Sequence, residues 1–118
     1  MRTAATTPTP HAIRVEITGD GSGARGDGRV IAASLRRPAV FASVADRHAE
    51  AMHHFARRRL GSRAADDVVS DAMCAAYRAR HRYDTARPDA RPWLLGIVTR
   101  EISRHRRRER NRYRALHT

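Results

Sequence analysis

The stretch RPWLLGIVTREISRHRRRERNRYRAL, residues 91–116, permits very few structures. Leu94, Ile97, Val98, Ile102 and His105 recur at helical spacing on one stripe, while Arg100, Arg104, Arg107 and Arg108 fall on another. The pattern predicts one long helix. Its first half is apolar enough to require burial against other elements. Its second half cannot be buried, because residues 100–114 hold eight arginines against Glu101 and Glu109, a net charge of +6. The segment is therefore expected to be a helix anchored at one end and projecting at the other as a basic rod.

Two further helices are expected to supply the anchor. Phe41, Val44, His48, Met52, Phe55 and Arg59 lie at spacings of three and four over residues 39–60, and Gly61 is a natural C-terminal stop. Ser62 is a candidate cap for a helix reaching about residue 80, with Val68, Val69, Ala72, Met73, Ala76 and Tyr77 on its buried side. Asp67, Ser70, Asp71 and Cys74 fall on its other side. The intervening HRYDTARPDARP reads as a loop, with Asp89 as cap and Pro92 in the first turn of the basic helix. Before residue 38, TTPTP and GDGSGARGDG offer little apolar periodicity, and IRVEI is a single strand-like segment with nothing to pair with. The expectation is a disordered N-terminal arm over residues 1–37 and a small all-α, three-helix domain over residues 38–118.

Charge narrows the function. The chain has 118 residues and a formal net charge of +12, so a polyanion is its expected partner, nucleic acid ahead of an acidic protein surface. All of its basic residues are arginines, which a GC-rich genome explains as readily as phosphate binding does. A single cysteine, Cys74, excludes an intrachain disulfide and a CxxC zinc site. His48, His53 and His54 do not share the i, i+4 geometry of a helical metal site, and no nucleophile signature surrounds Cys74. No catalytic residues, cofactor or metal are expected. With no secretory apolar region and no membrane-length apolar span, the chain reads as cytoplasmic and without a membrane partner.

Three blocks in order, FASVADRHAEAMHHFARRRLG, AADDVVSDAMCAAYRAR and YDTARPDARPWLLGIVTREISRHRRR, resemble region 2 of a bacterial RNA polymerase sigma factor of the extracytoplasmic-function type. The resemblance covers about residues 38–116. It implies that the second helix docks on core RNA polymerase through Asp67, Ser70, Asp71 and Cys74. It also implies that the last helix and its preceding loop receive the opened minus-ten promoter element; Arg87 and Arg91 flank that loop, and Arg100, Arg104, Arg107 and Arg108 are expected to follow phosphates along the helix, all six as DNA-binding residues. An anti-sigma factor is a further partner of the family. Thr99, Arg100 and Arg104 depart from the family's usual residues, Arg100 and Arg104 adding charge, and the family's second DNA-binding domain, for the minus-thirty-five element, is not expected in this chain. The alternative is a general basic nucleic-acid-binding or partner-binding helical protein that shares only the scaffold. Trp93 is expected to be a core anchor at the helix start, not a base-stacking platform, and Tyr83 is open to either role.

Overall fold

A computed structural model of the chain describes residues 26–117. Among them are four α-helices: α1 Asp27–Ser34, α2 Phe41–Leu60, α3 Ser62–Ala79 and α4 Arg91–Leu116. Single 3-10 turns at Pro38–Val40 and Arg80–Arg82 lead into α2 and out of α3. The described residues contain no strand, and the all-α reading holds.

The three predicted helices are α2, α3 and α4, each within two residues of the expected ends. Gly61 separates α2 from α3 at φ +82°, the left-handed conformation in which a side chain is strained, and its N–H closes α2 by donating to the Arg57 carbonyl at 3.0 Å. Gly61 also begins α3, since its own carbonyl accepts from the Ala65 N–H at 3.2 Å. Ser62, the expected cap, is instead the first residue of α3.

Helix α1 is a correction to the expected arm. Residues 27–34 are ordered as a helix with Val30 and Ile31 fully buried, so the boundary placed at residue 37 is too late. Eight residues entered through glycines are too few to form a helix on propensity alone, and no local pattern announces one. Tertiary burial supplies what the local sequence lacks. IRVEI and the other residues of the expected arm before residue 26 lie outside the described residues.

The chain divides into two compact units. One comprises residues 26–48 and Tyr77–Arg91, with Val30, Ile31, Val40, Phe41, Val44, His48, Tyr83 and Ala90 buried. Tyr77, expected on the buried stripe of α3, is exposed; its ring meets Phe41 edge-on at 5.8 Å and carries the Arg80 guanidinium over its other surface at 4.0 Å.

The other unit comprises Ala49–Ala76 and residues 92–117. Met52 and Ala56 of α2, Ala65, Val68, Val69 and Ala72 of α3, and Leu94, Ile97, Val98 and Ile102 of α4 are buried. Burial along α4 stops at Ile102; beyond it only His105 is even half-buried, as expected for a helix apolar in its first half alone. Trp93 is half-buried, whereas Leu94 is completely enclosed. Leu94→Ala is therefore expected to lower unfolding stability by about 3 kcal/mol, and Trp93→Ala by less, although Trp93 is the larger residue. Urea melts of both variants measure the order.

Candidate nucleic-acid interface

The unit that contains α1 also contains the loop before the basic helix, and a buried carboxylate organises it. Asp27 is fully buried. Its Oδ1 receives Arg47, and its Oδ2 accepts from His48 Nε2 at 2.7 Å and from the Ala90 N–H at 2.7 Å. The Arg91 Nε–H donates to His48 Nδ1 at 3.2 Å, so Nδ1 presents a lone pair and Nε2 carries the hydrogen given to Asp27. Asp89 Oδ1 accepts from the Arg91 N–H at 3.0 Å, as expected of a capping residue. Two carboxylates thus satisfy adjacent backbone donors at the start of α4. One of them, Asp27, lies sixty-three residues earlier in the chain.

Burial pushes the Asp27 carboxyl toward a higher pKa, but the hydrogen bonds from His48, from the Ala90 N–H and from Arg47 outweigh it and hold the pKa below the usual carboxylate value. Tyr83 is shifted upward, first by burial and then by the negative charges of Asp27 and Asp89. Its hydroxyl donates to the Arg87 carbonyl at 3.0 Å, which gives this loop aromatic a structural role.

Asp27, His48 and Asp89 each bring a ligand atom within 4.8 Å of the others. Both Asp27 oxygens and both His48 nitrogens are already engaged, with Arg47 and Arg91 among the partners. A metal ion would have to displace two guanidinium groups, so the cluster reads as an arginine-bridged network.

Arg87 in the loop and Arg91 at the first position of α4, both of the expected DNA-binding set, differ in kind. Arg87 is exposed and only 3.8 Å from Asp84, a weak surface pair. Arg91 is tied through His48 to the network.

The other four lie in the second unit, exposed on α4 beyond or beside its apolar stripe. Arg104 is 3.6 Å from Glu101, a residue that is itself largely buried. Arg106, not among the predicted residues, donates to the Arg59 carbonyl at 3.2 Å and so satisfies an orphan acceptor at the C-terminal end of α2. Nothing in the local sequence distinguishes it from Arg107 and Arg108.

The four residues expected to meet polymerase, Asp67, Ser70, Asp71 and Cys74, are all exposed. The first three line an open groove of about 650 Å³ to which α4 contributes His105, Arg108, Glu109 and Arg112. Cys74 is not among its lining residues. The acidic surface of α3 is therefore not segregated from the basic helix: Arg108 shares one groove with Asp67 and Asp71.

Residues 44–112, more than half of the chain, match the family model for sigma-70 region 2, and the chain belongs to that family. Domains of this kind are non-enzymatic parts of transcription initiation factors that bind core RNA polymerase and promoter DNA. No curated protein and no solved structure matches the chain significantly. No helix among the described residues is long and apolar enough to cross a membrane.

Proposed function

We propose that the chain acts in the cytoplasm as the promoter-recognition module of an extracytoplasmic-function sigma factor, docking on core RNA polymerase and holding the opened minus-ten element. Core polymerase meets the exposed Asp67, Ser70, Asp71 and Cys74 of α3. The opened strand runs along the arginines of α4, and the loop of residues 84–89 receives its bases. One observation carries this reading: α4 continues as an exposed helix with Arg100, Arg104, Arg107 and Arg108 along it, inside the stretch that matches region 2. A cationic helix neutralises phosphates, and a structured loop offers polar groups to unstacked bases; duplex DNA presents phosphates but keeps its bases stacked. Binding energy for a single strand exposed beside its duplex then favours melting without any chemistry by the protein.

Fluorescence anisotropy with duplex, forked and single-stranded minus-ten probes at several salt concentrations tests the proposal. Tighter binding to forked and single-stranded probes than to duplex is expected. Equal binding to all three, together with no retention of core polymerase in a pull-down, would leave the general basic-protein alternative.

The polymerase face has its own test. Asp67→Arg with Asp71→Arg is expected to weaken core-polymerase binding on the order of a hundredfold, because a rim attraction becomes a repulsion at two positions. Circular dichroism should show the same helix content, since both residues are exposed. A gel-shift titration that gives the same midpoint for wild type and variant would remove these two residues from the interface.

A further inference from the structure

We infer that Asp27 and Gly28 are a positioning element for the strand-receiving loop, setting its preference for opened DNA without contributing to phosphate affinity. The inference rests on the DNA-binding reading above and adds residues that precede the region 2 match.

Two independent contacts carry it. The first is polar. The Asp27 N–H donates to the Pro88 carbonyl at 3.1 Å, and its carboxylate accepts the Ala90 N–H at 2.7 Å, so one residue holds both an acceptor and a donor of the loop backbone. The second is steric. At Gly28 a Cβ would overlap the Thr85 carbonyl oxygen and lie 2.6 Å from that of Arg87, so the start of α1 and the loop backbone touch with no room for a side chain. These obstacles are backbone atoms, which cannot rotate away.

The loop's own bonds cannot supply this precision. Within it, Asp84 accepts from the Ala86 N–H at 3.1 Å and from the Arg87 N–H at 3.0 Å, and Tyr83 reaches the Arg87 carbonyl. Such turns fix local shape. Where the loop as a whole sits relative to the first residue of α4 depends on Pro88 and Ala90, and Asp27 holds both. The same carboxylate reaches Arg91 through His48, so the orientation of that guanidinium is set by the same residue.

The contribution is to selectivity, because the segment's groups are buried or spent on the loop. Asp27 and Gly28 are buried, and the Asp27 oxygens face donors of the protein. They have nothing to offer a phosphate.

Three variants of the full chain separate this role from simple support of the fold. Gly28→Ala keeps the carboxylate and favours the helix intrinsically, yet must push the loop backbone away. Asp27→Ala removes the carboxylate's tie to the Ala90 N–H and leaves the backbone bond to Pro88. Asp27→Asn retains a carbonyl oxygen that can accept from Ala90 while giving up the charge toward Arg47. Anisotropy titrations with forked and duplex probes should show the forked preference reduced about tenfold in Gly28→Ala, the salt slope staying at its wild-type value. Asp27→Asn should keep most of the preference, and Asp27→Ala, assayed at a temperature where circular dichroism shows it folded, should lose it. Amide hydrogen exchange should show Ala90 protected in wild type and Asp27→Asn and unprotected in Asp27→Ala. A folded Gly28→Ala protein with unchanged preference overturns the inference, as does rapid exchange of the Ala90 amide in the wild type. A wild type with no forked preference instead overturns the DNA-binding reading beneath it, while Ala90 exchange still reports on the tie.

Discussion

Asp27→Ala is expected to lower the unfolding free energy by roughly 3 to 5 kcal/mol, a large part of what a domain of this size possesses. The effect follows from what the truncation strands. Arg47, with a side chain only 13% exposed, would keep its charge and lose its carboxylate. His48, only 1% exposed, would keep an Nε2–H with no acceptor, and the Ala90 N–H would be buried without a partner. Water cannot readily replace the carboxylate at so enclosed a position. Asp27→Asn should cost less, since an amide oxygen in the place of Oδ2 still accepts from both His48 and Ala90, and Arg47→Met in the Asp27→Asn background should recover part of the loss by removing the stranded cation. Urea unfolding of the three proteins measures the order; equal midpoints for wild type and Asp27→Ala would show the network to be energetically idle.

The same carboxylate ties stability to acid. Its pKa is lower in the folded chain than in the unfolded chain, where an aspartate titrates at about 3.9. The unfolded state therefore binds the proton first as pH falls. Asp27's contribution is complete above about pH 5 and is lost progressively through the ordinary carboxylate range down to the lowered folded value. Thermal melts in acid should thus show wild type losing more stability than Asp27→Asn between pH 5 and the acid limit of folding, by about the difference measured between them at neutral pH.

Helices α2, α3 and α4 were legible because each carries its own period. Their apolar residues recur at three and four, Gly61 and Pro92 mark ends, and the burial limit at Ile102 is where the apolar stripe gives way to arginine. Helix α1 was illegible for the opposite reason. Its two large apolar residues, Val30 and Ile31, are adjacent and show no period, and its determining residue is an aspartate between two glycines, the composition of a linker. Only its partners give that aspartate its meaning, and they are distant in sequence, Arg47 and His48 some twenty residues away and Pro88 and Ala90 some sixty. The glycines were a usable signal, since GDG next to an apolar pair also describes a tight backbone approach. The arginines pose a related problem. Their number predicted a polyanion, but Arg106 reaching the Arg59 carbonyl and Arg108 sharing a groove with Asp67 and Asp71 depend on which other helix each one faces.

Those environments grade the last expected result. Replacing Arg100, Arg104, Arg107 and Arg108 by Gln removes up to four phosphate contacts, which should lower the salt slope of single-strand binding by about 3. Between 50 and 200 mM salt, the variant should then lose about 60-fold less affinity than the wild type does. Helix content should persist, because Gln and Arg have similar helix propensities. The four positions do not contribute alike. Arg104 already has Glu101 at 3.6 Å and gives up that neighbour to meet a phosphate, while Arg108 shares an open groove with Asp67 and Asp71, whose negative charges attract it across the groove without an ion pair. Among the described residues, no carboxylate forms an ion pair with Arg100 or Arg107. Arg100→Gln with Arg107→Gln should therefore remove more of the slope than Arg104→Gln with Arg108→Gln, although each pair deletes two charges. Salt titrations of the two double variants and the quadruple variant, read by anisotropy on one single-stranded minus-ten probe, decide it. Identical slopes for the two doubles would mean that net charge alone governs binding. A wild-type slope in the quadruple variant would mean that α4 ends as a solvated helix and that the DNA lies elsewhere.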